Sequence, residues 1–176
     1  TETAKSIEKL MARYREAPGR DRPDQPRPRG ERPPRPDRPG QADAGRKARP
    51  FALKTFDGRT VNLADYRGKT IVLEWLNFEC PFVKHHYEKA NTMTSLANKY
   101  KEKGVVWFAI NSTSHTTPAG NQAFAAKHEL PYPLLDDRSG EVGRAYGAKT
   151  TPHMFVIAPN GGIAYDGAID RSPMGK

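Results

Sequence analysis

Two apolar runs, residues 71–76 and 105–111, bracket a segment whose apolar residues follow a helical period. In that segment Val83, Tyr87, Ala90, Met93, Ala97 and Tyr100 recur at three- or four-residue spacings, and Gly104 closes the pattern. Strand, amphipathic helix and strand in succession constrain the chain to an α/β architecture, because such strands need cover on both faces. Downstream, the pattern predicts a helix over 119–128, a short strand over 132–135 and one or two helical turns over 140–146, closed by Gly147. A strand over 154–157 then turns through Pro159-Asn160-Gly161-Gly162 into a partner at 163–165. Upstream, residues 51–56, the turn Asp57-Gly58 and residues 61–63 predict a hairpin. Alternation first and antiparallel strands last indicate a mixed central sheet with helices on both faces and an N-terminal β-hairpin extension.

Composition sets the limits of the folded part. Only 36% of the 176 residues are hydrophobic and 16 are proline, because residues 17–49 read as Pro, Arg, Asp and Gly. Such a stretch cannot bury enough surface to offset its ordering entropy, so it is expected to be a disordered linker with polyproline II character. Residues 1–16 have Ile7, Leu10, Met11 and Tyr14 on one helical face, and predict a short amphipathic helix. The folded domain is then 50–176.

The net charge of +9 is uneven: residues 1–50 hold 14 Lys and Arg against 8 Asp and Glu, and residues 51–176 hold 15 against 12. The basic character belongs mainly to the tail, which lacks the aromatic residues that stack single-stranded bases, so no dedicated nucleic-acid binding is expected. No apolar run reaches the ~20 residues of a transmembrane segment. The chain starts at Thr1 and stops at Lys176 soon after the closing hairpin, which points to processing or truncation.

Cys80 is the single cysteine, so no internal disulfide forms and a resolving thiol must come from outside 1–176. It follows a buried-type strand and precedes Pro81, a residue suited to the first helical position. At a strand-to-helix junction, free N–H groups and the helix dipole favour an anion, and the thiolate is the reactive form of cysteine. A small buried filler is the alternative. His85 and His86 point about 100° apart on a helix and His115, His128 and His153 are scattered, so neither a metal nor another cofactor is expected. Asp136-Asp137 before Arg138-Ser139-Gly140 reads as a turn and helix cap.

Taken in order, these blocks resemble the thioredoxin-fold redoxins of the AhpC/TSA, or peroxiredoxin-like, family. Residues 51–63 are similar to the family's F-x-L-x-x-x-D-G-x-x-V-x-L opening, and Tyr66-Arg67-Gly68-Lys69 to its step into the central strand. Residues 74–84 resemble its active-site block, and residues 142–148 and 151–157 its late block. The resemblance implies a cysteine nucleophile, Cys80, and a proline loop beside it, so that Thr151 and Pro152 contact substrate.

The departures are specific. Peroxiredoxins place Thr three residues before the reactive cysteine, and some relatives a Cys; here it is Asn77. Thioredoxin's second cysteine position holds Val83, and no arginine stands at Thr150-Thr151-Pro152. Asn77, as a side-chain donor, and Lys84, as a positive charge one turn on, are the candidate helpers of Cys80. Pro81, Phe82, Trp75, Thr151 and Pro152 form the candidate substrate-contacting set. The expected function is a thiol-dependent oxidoreductase, acting as a peroxiredoxin-like antioxidant or in thiol–disulfide exchange. Its partners would be a peroxide or a protein disulfide, and an external thiol reductant. The alternative is a catalytically degenerate binding module for an extended peptide or partner protein. The family leans toward an exported or periplasmic setting.

Overall fold

A computed structural model describes residues 46–170. The helix expected at 1–16, the linker up to residue 45 and the segment 171–176 lie outside the described residues. Seven strands form one mixed sheet: β1 (Ala52–Thr55), β2 (Thr60–Asn62), β3 (Ile71–Trp75), β4 (Val106–Asn111), β5 (Leu134–Asp136), β6 (His153–Ile157) and β7 (Ile163–Gly167). Their order is β2-β1-β5-β4-β3-β6-β7. The pairs β3–β4 and β4–β5 are parallel, and the hairpins β1–β2 and β6–β7 join the edges antiparallel. The mixed sheet and its N-terminal hairpin agree with the sequence patterns.

The central strand explains the layering. Every residue of β3 is buried. Ile71, Leu73 and Trp75 face a core with Phe108, Ile110, Tyr146 and Phe155, while Val72 and Leu76 face another with Val83, Tyr87, Met93, Trp107 and Phe124. Each large apolar side chain so removed from water contributes about 1.5–3 kcal/mol. The helices are α1 (Pro81–Lys84), α2 (Thr92–Lys101), α3 (Pro118–Lys127) and α4 (Glu141–Tyr146). Among the described residues no helix is long and apolar enough to cross a membrane.

Two sequence expectations change. The single helix after Cys80 is broken: α1 runs into a π-helical turn over His85–Lys89, and Asn91 takes a left-handed φ of 45° before α2 starts. The wider turn brings both His86 and Tyr87 inside and leaves Ala90 exposed. The other change concerns residues 46–49, assigned to the linker by composition. They run along the β6–β7 turn, where Ala48 N–H donates to Gly161 O at 2.9 Å and Arg46 pairs with Asp166 at 2.8 Å.

Candidate functional site around Cys80

Cys80 is the N-cap of α1 and is half-buried; Pro81 occupies the first turn, and Lys84 N–H donates to Cys80 O at 3.0 Å. The sheet closes the site from the other side. Strand β6 runs antiparallel to β3, so the loop that enters it comes up beside the end of β3. That loop contains a cis Thr151–Pro152 peptide bond, and the Cys80 thiol donates to Thr151 O at 3.1 Å. The structure thus brings together residues 71 positions apart in sequence and sets the Thr151-Pro152 loop beside Cys80. Proline has no N–H to compete for a partner here.

The remaining candidates divide. Phe82 is 44% exposed beside the thiol, the exposed large apolar side chain among the described residues. Asn77 is a turn former: its Oδ1 accepts from Glu79 N–H at 2.9 Å and its carbonyl accepts from Cys80 N–H at 3.0 Å. Lys84 is exposed and makes no hydrogen bond to the sulfur; its charge reaches Glu88, whose carboxyl is held below the usual range mainly by the hydrogen bond and charge of Lys127, with His128 and then Lys84 adding smaller attractions. Trp75 is only 2% exposed, donates its indole N–H to Ser112 Oγ at 3.0 Å and packs on Tyr146 and Phe155. It reaches the site only as part of a cavity wall. Glu79 points outward, to His115 at 2.7 Å. Asp137 caps α4, accepting from Val142 and Gly143 N–H at 3.1 and 2.8 Å, as its sequence context implies.

Two supporting groups were not singled out from sequence. Glu74 lies within the apolar β3 and is completely buried. Its carboxyl accepts from Tyr87 Oη at 2.7 Å and Trp107 Nε1 at 3.1 Å, and Tyr132 Oη lies 3.3 Å away. Burial pushes its pKa from 4.5 to about 7, against the opposing pull of those hydrogen bonds. Tyr87 stands on the helical segment that Cys80 opens, so this acid ties the segment to the sheet. The available signal was the carboxylate itself, an acid inside a run with no other polar residue.

The second group is His153, directly after Pro152. Its Nδ1 accepts from Lys149 N–H at 3.1 Å, which leaves the proton on Nε2 for Asp166 at 2.8 Å. The ring thereby pins both ends of the 149–152 loop that presents Thr151 O. Replacing it by leucine leaves the Lys149 amide without this acceptor. His153→Leu is expected to lose about 1–3 kcal/mol, read as a lower urea midpoint at unchanged slope.

Two cavities lie at opposite ends of β3. One of about 390 Å³, lined by residues such as Leu63, Tyr66, Ile71 and Ile157, lies at the start of β3, the pole opposite Cys80. The other, about 350 Å³, shares Trp75, Leu76 and Thr151 with the neighbourhood of the thiol. The second is the one within reach of Cys80 chemistry.

Known proteins share this frame. Residues 44–166 match the model of the AhpC/TSA family. The thiol-disulfide oxidoreductase ResA of Bacillus thuringiensis subsp. konkukian is 29% identical over 121 residues, covering 69% of this chain and 67% of that protein. A crystal structure of an uncharacterized conserved protein from Geobacillus kaustophilus superposes with a TM-score of 0.68 at 34% identity, over 73% of this chain and 70% of that one. A putative thiol:disulfide interchange protein DsbE from Chlorobium tepidum gives a TM-score of 0.62 at 28% identity, over 72% and 86%. The fold is thioredoxin-like.

Proposed function

The chain belongs to the AhpC/TSA family, and from that premise we propose that it is a thiol–disulfide oxidoreductase in which Cys80 forms a mixed disulfide with a partner held against the Thr151-Pro152 loop. The observation that carries this reading is the convergence of a half-buried thiol at a helix start with Thr151 O at 3.1 Å. An extended substrate laid along the loop brings its own sulfur to Cys80 while Phe82 offers an apolar contact. The relatives named as thiol-disulfide oxidoreductase and interchange protein support exchange over peroxide reduction. So does Asn77, whose side-chain oxygen serves the Glu79 amide.

Exchange needs two steps. The Cys80 thiolate attacks one sulfur of the substrate disulfide, and the other sulfur leaves as a thiolate that takes a proton from solvent. Val83 supplies no thiol for the second step, so a thiol from outside residues 1–176 must release the product. The family resemblance supports an exported setting for this chemistry.

Intact-mass measurement after mixing the protein with a peptide disulfide tests the proposal. One adduct per chain, mapped to Cys80 and removed by a small thiol, is expected. A chain that stays unmodified while holding the peptide non-covalently is a binding module instead. Peroxide consumption with excess thiol, in the absence of any disulfide adduct, would mark a peroxidase.

A further inference from the structure

We infer that the cavity beside the Thr151 loop recognises a carboxylate carried close to the reacting sulfur of the substrate, with Arg144 and Lys149 as the specificity-determining cations. The inference rests on the exchange reading above and adds a substrate class to it.

Thr151 belongs to this cavity's wall and its carbonyl touches the Cys80 thiol, so a group a few bonds from a sulfur on Cys80 falls within the cavity. The wall contains two cations, Arg144 and Lys149, with the hydroxyls of Ser112, Thr113 and Thr150, and no Asp or Glu. Both cations are exposed, and neither is in an ion pair among the described residues; Arg144 Nη1 donates only to Ser139 O at 3.1 Å. Asp137, which bonds the wall residues Ser112 and Gly143, is itself buried, its oxygens occupied by Ser112 Oγ and the Val142 and Gly143 amides. Two such cations beside a thiol attract an anionic disulfide and repel a cationic one.

A carboxylate near a cysteine sulfur has two sources: a small peptide thiol such as glutathione, or an acidic residue next to a cysteine in a protein. The reaction is the same for both. The Cys80 thiolate bonds to one sulfur, the substrate S–S bond breaks, and the departing thiolate is protonated by solvent; Cys80 is oxidised and the leaving sulfur reduced.

The test compares rate constants for adduct formation with glutathione disulfide, which is anionic, and cystamine, which is cationic. Two peptide disulfides with Asp or Lys beside the cysteine form the second arm. Proteins are the parent and the Arg144→Gln/Lys149→Gln double variant, checked for fold by near-ultraviolet circular dichroism. The parent is expected to prefer the anionic member, and the double variant to lose about five- to tenfold of that preference, with high salt doing the same to the parent. A preference shown with glutathione alone assigns the site to small thiols; one shown with the Asp peptide alone assigns it to proteins. Reaction with an unchanged preference in the double variant overturns the inference and leaves the exchange reading standing. Failure of every disulfide to modify an accessible Cys80 overturns both.

Discussion

Val83→Cys is expected to speed turnover in the proposed exchange reaction, in which the parent depends on a separate thiol to release Cys80. Val83 sits three residues after Cys80, on the same first turn of α1. Residues at that spacing in a helix lie within the span a disulfide accepts. The valine is fully buried and cysteine is a slightly smaller apolar residue, so the fold should tolerate the change at a cost of about 1 kcal/mol. In the parent, the mixed disulfide on Cys80 waits for a second molecule of thiol. In the variant, the introduced thiol attacks it from within the same turn, and an intramolecular attack avoids the entropy of a second encounter.

Multiple-turnover reduction of a protein disulfide, with dithiothreitol as the source of electrons, should rise at least roughly tenfold over the parent. The variant should also show an internal disulfide after oxidation, detected as loss of two hydrogen masses. Adding Cys80→Ser to this background should return turnover to that of the reductant alone. An oxidised Val83→Cys protein that keeps two free thiols would contradict the placement of Cys80 at the start of this helix.

Glu74→Gln is expected to stabilise the protein at alkaline pH and to leave it little changed in acid. The sign follows from proton binding. In the unfolded chain Glu74 releases its proton near 4.5; in the native protein it holds it to about 7. Across that interval the native state binds more protons, so stability falls as pH rises from about 4.5 to about 7 and the loss is complete above it. The two values differ by enough to make that loss about 3 kcal/mol. Glutamine cannot ionise, and its carbonyl and amide can serve Trp107 and the tyrosine pair in the same place.

The variant should therefore gain about 2–3 kcal/mol over the parent at pH ~8 and close to nothing at pH ~4.5. Urea unfolding of both proteins across this range isolates the difference. His86, whose pKa burial lowers, titrates alike in both and cancels. Parallel stability curves would show that Glu74 does not carry its proton in the folded core.

Around Cys80, local and distant information divide. That Cys80 opens a helix after a buried strand was readable from Pro81 and the apolar run before it, because caps and periods are local. The likeness of residues 151–157 to a known block pointed to Thr151 and Pro152 as its neighbours. Asn77 and Lys84 were chosen by spacing, and spacing does not tell where a side chain turns: Asn77 bonds the amide two residues on, and Lys84 faces solvent. The break at Asn91 was hidden because the apolar period continues on both sides of it. Ala90 and His86 then exchange the roles their residue types suggest.

By itself the sequence determined the strands, the helices apart from the break at Asn91, the alternation that makes the sheet mixed, and the thiol at a helix start. These depend on residues within one turn or one strand of each other. Only the tertiary structure decided that β1 pairs with β5, that Glu74 is enclosed by Tyr87, Trp107 and Tyr132, and that Arg144 and Lys149 share a cavity with the loop at Cys80. Those contacts join residues far apart in the chain. Packing two faces of one sheet selects them, and no local propensity encodes that selection.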